Sequence, residues 1–161
     1  MMKLDITVTG KNLEAAFAGE SMAYMKYTYF ARLARSMGDE VTAQTFEATA
    51  SQEVHHALGH LDLLYPASTL TPSRMLEIAI AGETYEYSEM YPRFREQAVA
   101  DQAPFAMAEF SAQADESKEH AEAFKITLAK AEKRFAALAK VEQRHAAHYQ
   151  LRHDALAQEG C

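Results

Sequence analysis

One spacing, Phe-x3-Ala-x2-Glu-x2-His-Ala, occurs twice in this chain: Phe46, Ala50, Glu53, His56, Ala57, and again Phe135, Ala139, Glu142, His145, Ala146. Residues three apart share a face of an α-helix, so each copy offers a carboxylate and an imidazole to one point, beside an apolar row. A third copy, Phe110, Ala114, Ser117, His120, Ala121, has serine in place of the glutamate.

The rest of the sequence agrees with helices. Residues 1–10 read as a tail, Gly10 closing a weak alternation. Apolar residues then recur at helical spacing from Lys11 to Met37. Gly38-Asp39 supplies a break and an N-cap for a second helix, Val41 to Leu64, which Tyr65-Pro66 ends. Thr71-Pro72 fits the start of a third, running from about Ser73 to Ala100 and kinked at Pro92. Phe105 to Gln158 contains neither glycine nor proline. Ordinary helix lengths favour two helices there, joined near Lys130 to Lys133.

The first 121 residues carry an internal repeat. Leu13 to Glu20 is echoed by Leu76 to Glu83 at an offset of 63, and the Phe46 frame by the Phe110 frame at 64. Two helical hairpins in matched register predict an all-α, pseudo-twofold four-helix bundle over residues 11–131, with a C-terminal helix over 132–161.

Composition narrows the function. A formal charge of −7 argues against a nucleic-acid binder, and no apolar run approaches the roughly 20 residues of a membrane span. The amino terminus lacks a basic-then-apolar leader pattern, so a cytoplasmic protein is expected. Cys161 is the sole cysteine, which rules out an internal disulfide or a four-thiolate metal site within these residues.

In such a bundle Glu20 comes from the first helix, Glu53 and His56 from the second, Glu83 and Glu86 from the third, and His120 from the fourth. Carboxylates among small and apolar neighbours are costly to desolvate unless cations neutralise them. Two divalent metals would do so. Oxygen donors with a few imidazoles suit iron or manganese, whereas structural zinc favours thiolates.

The stretches Leu13 with Ala16 to Ser21, Tyr27 to Phe30, Glu53-x-x-His56, and Ala81 to Glu86 running on to Glu89-Met90-Tyr91-Pro92 resemble the rubrerythrin family over about residues 11–125. The resemblance implies a ferritin-like bundle with a non-haem di-iron centre that reduces hydrogen peroxide to water in oxidative-stress defence. Manganese or a mixed pair is the alternative loading. It implies Glu20, Glu53, His56, Glu83, Glu86 and His120 as ligands, with Glu83 or Glu86 and a histidine shifting during turnover, and a homodimer, with exchanged helices as a variant. The family pattern puts a bridging glutamate at position 117. Many relatives also end in a rubredoxin module with two Cys-x-x-Cys pairs. Here Glu142 and His145 follow instead, so a separate donor such as a rubredoxin-like protein is expected.

Three replacements for the absent acid are open, Glu116 or Glu119 on the same helix, or Glu142 with His145 beside it, from the same chain after a turn or from a partner; otherwise one iron is held more weakly. Alternatively, Glu142 and His145 belong to a solvated helix face. The 135–146 frame could also be the fourth bundle helix, although the repeat offset points to His120. Tyr27, and less strongly Tyr24, could orient a ligating carboxylate or lend a proton to bound peroxide; the other reading is core packing. The rival functions are an oxygen-consuming ferroxidase or oxidase and a non-catalytic metal-binding bundle.

Overall fold

The computed structural model describes residues 7–159, with side chains through residue 153. Every regular element among them is helical. No helix among the described residues is long and apolar enough to cross a membrane. The expected tail at 1–6 lies outside the described residues, while 8–10 are already helical.

The chain divides between Leu70 and Thr71 into two compact units. The first is a hairpin of α1 (Val8–Ser36) and α2 (Glu40–Leu64). Helix α1 starts three residues before the expected Lys11, because the Thr7 hydroxyl accepts a hydrogen bond from the Gly10 N–H at 3.0 Å and caps it. Asp39 caps α2 by accepting from the Thr42 N–H at 3.0 Å. The buried positions between the helices are alanines, Ala31, Ala34, Ala43, Ala50 and Ala57, small enough for two backbones to approach closely. Phe46 packs against Tyr27 and Phe30, with ring centroids 5.8 and 5.5 Å away.

The second unit begins, after a single 3-10 turn at Ala67–Thr69 in the linker, with α3 (Pro72–Tyr85). A π-helical turn over Glu86–Met90 connects it to α4 (Tyr91–Ala100), and α5 (Pro104–Glu159) runs back. The kink expected at Pro92 is this π turn. Proline has no N–H to return to the preceding turn, and the Tyr91 N–H reaches instead to the Glu86 carbonyl, five residues back. One extra residue is thereby inserted, which accounts for the change of repeat offset. Glu20 and Glu83 are 63 apart, whereas Tyr27 and Tyr91, Phe30 and Phe94, and Phe46 and Phe110 are each 64 apart. The ring contacts repeat accordingly, with Phe110 lying 6.3 Å from Tyr91 and 5.7 Å from Phe94.

The hairpin turns match as well. Asp39 N–H bonds to the Ala34 carbonyl at 3.0 Å, and Ala103 N–H to the Ala98 carbonyl at 2.9 Å. Gly38 and Gln102 hold the left-handed residue of each turn, at φ 84° and 54°. Glycine takes that conformation without strain, and glutamine does not.

The expected division of residues 105–158 into two helices is not found. Helix α5 is continuous through Lys130 to Lys133, because no residue there interrupts the backbone ladder and Ala131 is buried. It is 56 residues long.

Candidate functional site

Each unit carries its own set of acids and an imidazole. In the first, Glu20 on α1 and Glu53 and His56 on α2 each offer one ligand atom, and these atoms lie within 4.8 Å of one another. Glu53 and His56 are three apart on α2, and the His56 Nδ1 sits 3.0 Å from Glu53 Oε2. The Glu53 side chain is largely covered, at 17% exposure, while His56 is open at 58%. Two carboxylates this close repel each other, and a cation between them removes that cost.

In the second unit, Glu83 lies in the last turn of α3, Glu86 opens the π turn, and Ser117 and His120 lie on α5. His120 Nδ1 is 3.5 Å from Glu83 Oε2, too far for a well-formed hydrogen bond. Glu83 Oε2 is buried and has no hydrogen-bond partner. Such an orphaned carboxylate oxygen is expensive for a protein to keep, and marks a place where a cation fits. Ser117, 4% exposed, donates its hydroxyl to Glu86 Oε2 at 2.9 Å. The position where sequence reasoning found an acid missing is therefore occupied by a donor that holds another acid in place.

By the repeat, Ser117 is the counterpart of Glu53, and Glu86 has no acidic counterpart in α1. Each unit thus carries two carboxylates and one imidazole, Glu20, Glu53 and His56 in one and Glu83, Glu86 and His120 in the other; among the described residues only the first three bring ligand atoms within 4.8 Å of one another. Of the candidate replacements, Glu116 and Glu119 are exposed on α5, and Glu116 adds to the negative charge around Tyr91. Glu142 cannot compensate within its own chain, because 25 residues of unbroken helix put it about 38 Å from Ser117. His145 accompanies it, with Nδ1 4.0 Å from Glu142 Oε2, and both are exposed.

Tyr91 was missed by sequence reasoning as a site residue. A plain α-helix would put Met90 on the face of Glu83 and Glu86; the π turn puts Tyr91 there. Burial, and then the negative charge of Glu86 and Glu83, push its phenol up from the ordinary value. The available signal was Pro92, whose missing N–H favours a local break in register. Tyr27, the repeat counterpart of Tyr91, is half-buried with its ring against Phe46.

The donors in both sets are carboxylate oxygens and imidazole nitrogens, a chemistry suited to iron or manganese. The orphaned Glu83 oxygen and the crowded Glu20 and Glu53 carboxylates fit such ions.

Comparison with known proteins agrees in extent and kind. Residues 11–128 match the family model described as Rubrerythrin. A rubrerythrin of Porphyromonas gingivalis is 39% identical over 101 residues, which is 56% of this chain and 50% of that protein. From Nitratidesulfovibrio vulgaris, a nigerythrin is 39% identical over 104 residues, covering 57% and 52%, and a rubrerythrin is 38% identical over 105, covering 58% and 55%. The chain spans about half the length of these curated relatives. With its helical hairpins, paired acid and imidazole sets and a family match over most of its length, the chain belongs to the rubrerythrin family, whose domain is a ferritin-like helical bundle.

Proposed function

We propose that this chain is a non-haem di-iron peroxidase that reduces hydrogen peroxide to water, with Glu20, Glu53, His56, Glu83, Glu86 and His120 holding two irons. The observation that carries this reading is the cluster of Glu20, Glu53 and His56, whose ligand atoms lie within 4.8 Å of one another, together with a buried Glu83 oxygen in the second unit that makes no hydrogen bond and has the His120 imidazole 3.5 Å away. The family binds iron, and its named relatives include rubrerythrins and a nigerythrin.

A pair of ferrous ions held by these residues would supply the two electrons that reduce peroxide to two waters, with two protons taken up from groups around the site. The chain's own residues govern charge and protons. Ser117 orients the Glu86 carboxylate through its 2.9 Å hydrogen bond to Oε2. Tyr91, with its phenol pushed up from the ordinary value, is placed to donate from its hydroxyl, and Tyr27 occupies the equivalent position in the first hairpin. Glu83, at the α3 end beside the π turn, has the local backbone irregularity that lets a ligand helix adjust.

Reducing equivalents come from outside these 161 residues, since one cysteine cannot build an iron–thiolate module. A rubredoxin-like donor fits that need. The alternative activity is oxygen-consuming iron oxidation. Stopped-flow mixing of the ferrous-loaded protein separates the two: peroxide is expected to oxidise it at least tenfold faster than oxygen at equal concentration, roughly the 1.4 kcal/mol of barrier difference that defines a preference. Faster reaction with oxygen would make the chain an oxidase instead.

A further inference from the structure

The last part of α5 carries an exposed, partly apolar face that the metal site does not use. Steps of alternately three and four residues along this helix trace one seam, the spacing with which helices pack side by side. From Met107 to Ala131 every position on the seam is buried or half-buried, and Ser117, Ala121 and Ala131 are fully covered, by α3, the π turn and α4. Those elements span residues 72–100 and end opposite α5 at about residue 132, at one helical rise per residue. The seam continues without a change of phase through Phe135, Leu138, Glu142, His145, Tyr149 and Arg152, all exposed. This face keeps the packing period of its covered half and leaves Phe135, Leu138 and Tyr149 exposed, with Arg134 over the Phe135 ring at 5.6 Å and His148 beside Tyr149.

We infer that this face packs against the same segment of a second copy, antiparallel, with the twofold axis between Gln143 and Arg144. On that axis, Glu142 of each chain faces His145 of the other, Leu138 faces Tyr149, and Phe135 faces Arg152. Charge decides the direction. Parallel pairing at equal height sets Glu142 against Glu142 and His145 against His145, whereas the antiparallel twofold sets acid against imidazole twice and puts an arginine over an aromatic ring. Ala139 and Ala146 flank the seam, and their small side chains let two helices approach closely. The intact Glu-x-x-His frame at 135–146 is thereby explained as a self-complementary contact, formed by a repeat of the bundle-helix pattern beyond the bundle.

Disulfide trapping tests both contact and direction. In the full chain with Cys161→Ser, the single variants Leu138→Cys and Tyr149→Cys are prepared, then mixed under mild oxidation. Neither alone should cross-link to itself, since the antiparallel register separates Leu138 from its own counterpart by about 16 Å along the axis. The mixture should give a species of twice the chain mass containing one chain of each variant. A Lys140→Cys protein, altered on the opposite helix face, replaces Leu138→Cys as the control and should give none. Self-cross-linking of either single variant, no product in the mixture, or equal product with the Lys140→Cys control would overturn the inference.

Discussion

Replacing Glu53 by alanine is expected to lower iron affinity by at least about 100-fold, more than losing a residue that only supports a ligand. Peroxide turnover should fall to background with it. The metal-free protein should fold as well as the parent or slightly better. Glu53 and Glu20 bring carboxylates within 4.8 Å of each other and of His56, and that crowding is useful only when a cation shares it. Iron titration reads the first effect and urea unfolding of the metal-free protein the second. Retained iron at unchanged affinity would remove Glu53 from the site. A large loss of metal-free stability would make it a structural residue.

The second large effect concerns position 117 and has opposite signs with and without metal. Ser117 is buried and donates to Glu86 Oε2. Ser117→Glu should therefore destabilise the metal-free protein by about 1–3 kcal/mol, through a buried carboxylate facing another and the loss of a donor. It restores the acid of the family pattern, so iron affinity should rise by about tenfold or more. Ser117→Ala is the control: it loses the hydrogen bond to Glu86, costs about 1 kcal/mol, and gains no affinity. Thermal unfolding with and without ferrous iron gives both signs in one experiment. If Ser117→Glu binds iron no better than Ser117→Ala, a carboxylate at 117 has no metal to meet.

Much of this was legible in the sequence because it rests on local rules. The caps at Asp39 and Thr71, the turn at Gly38 and the spacing of Phe46, Glu53 and His56 each depend on residues within a turn or two. The change of repeat offset from 63 to 64 was also visible. Its cause was not, since a π turn at Glu86–Met90 follows from the missing N–H of Pro92 acting on a preceding turn, and a simple kink satisfies the same sequence. Tyr91 was hidden by that one-residue insertion. The Ser117–Glu86 hydrogen bond was hidden differently: a serine in place of an expected acid reads as a loss, and only the arrangement of α3, the π turn and α5 makes it a donor. Helix α5 exceeded expectation because typical helix length is a statistical prior, and no residue between Phe105 and Gln158 opposed continuation.

The most direct measurement is the iron bound per chain, determined on anaerobically loaded protein by anomalous scattering at the iron edge, with the ions located. Two irons per chain, contacted by Glu20, Glu53, His56, Glu83, Glu86 and His120, is the result this account predicts. No iron, or iron held by residues outside these six, would contradict it.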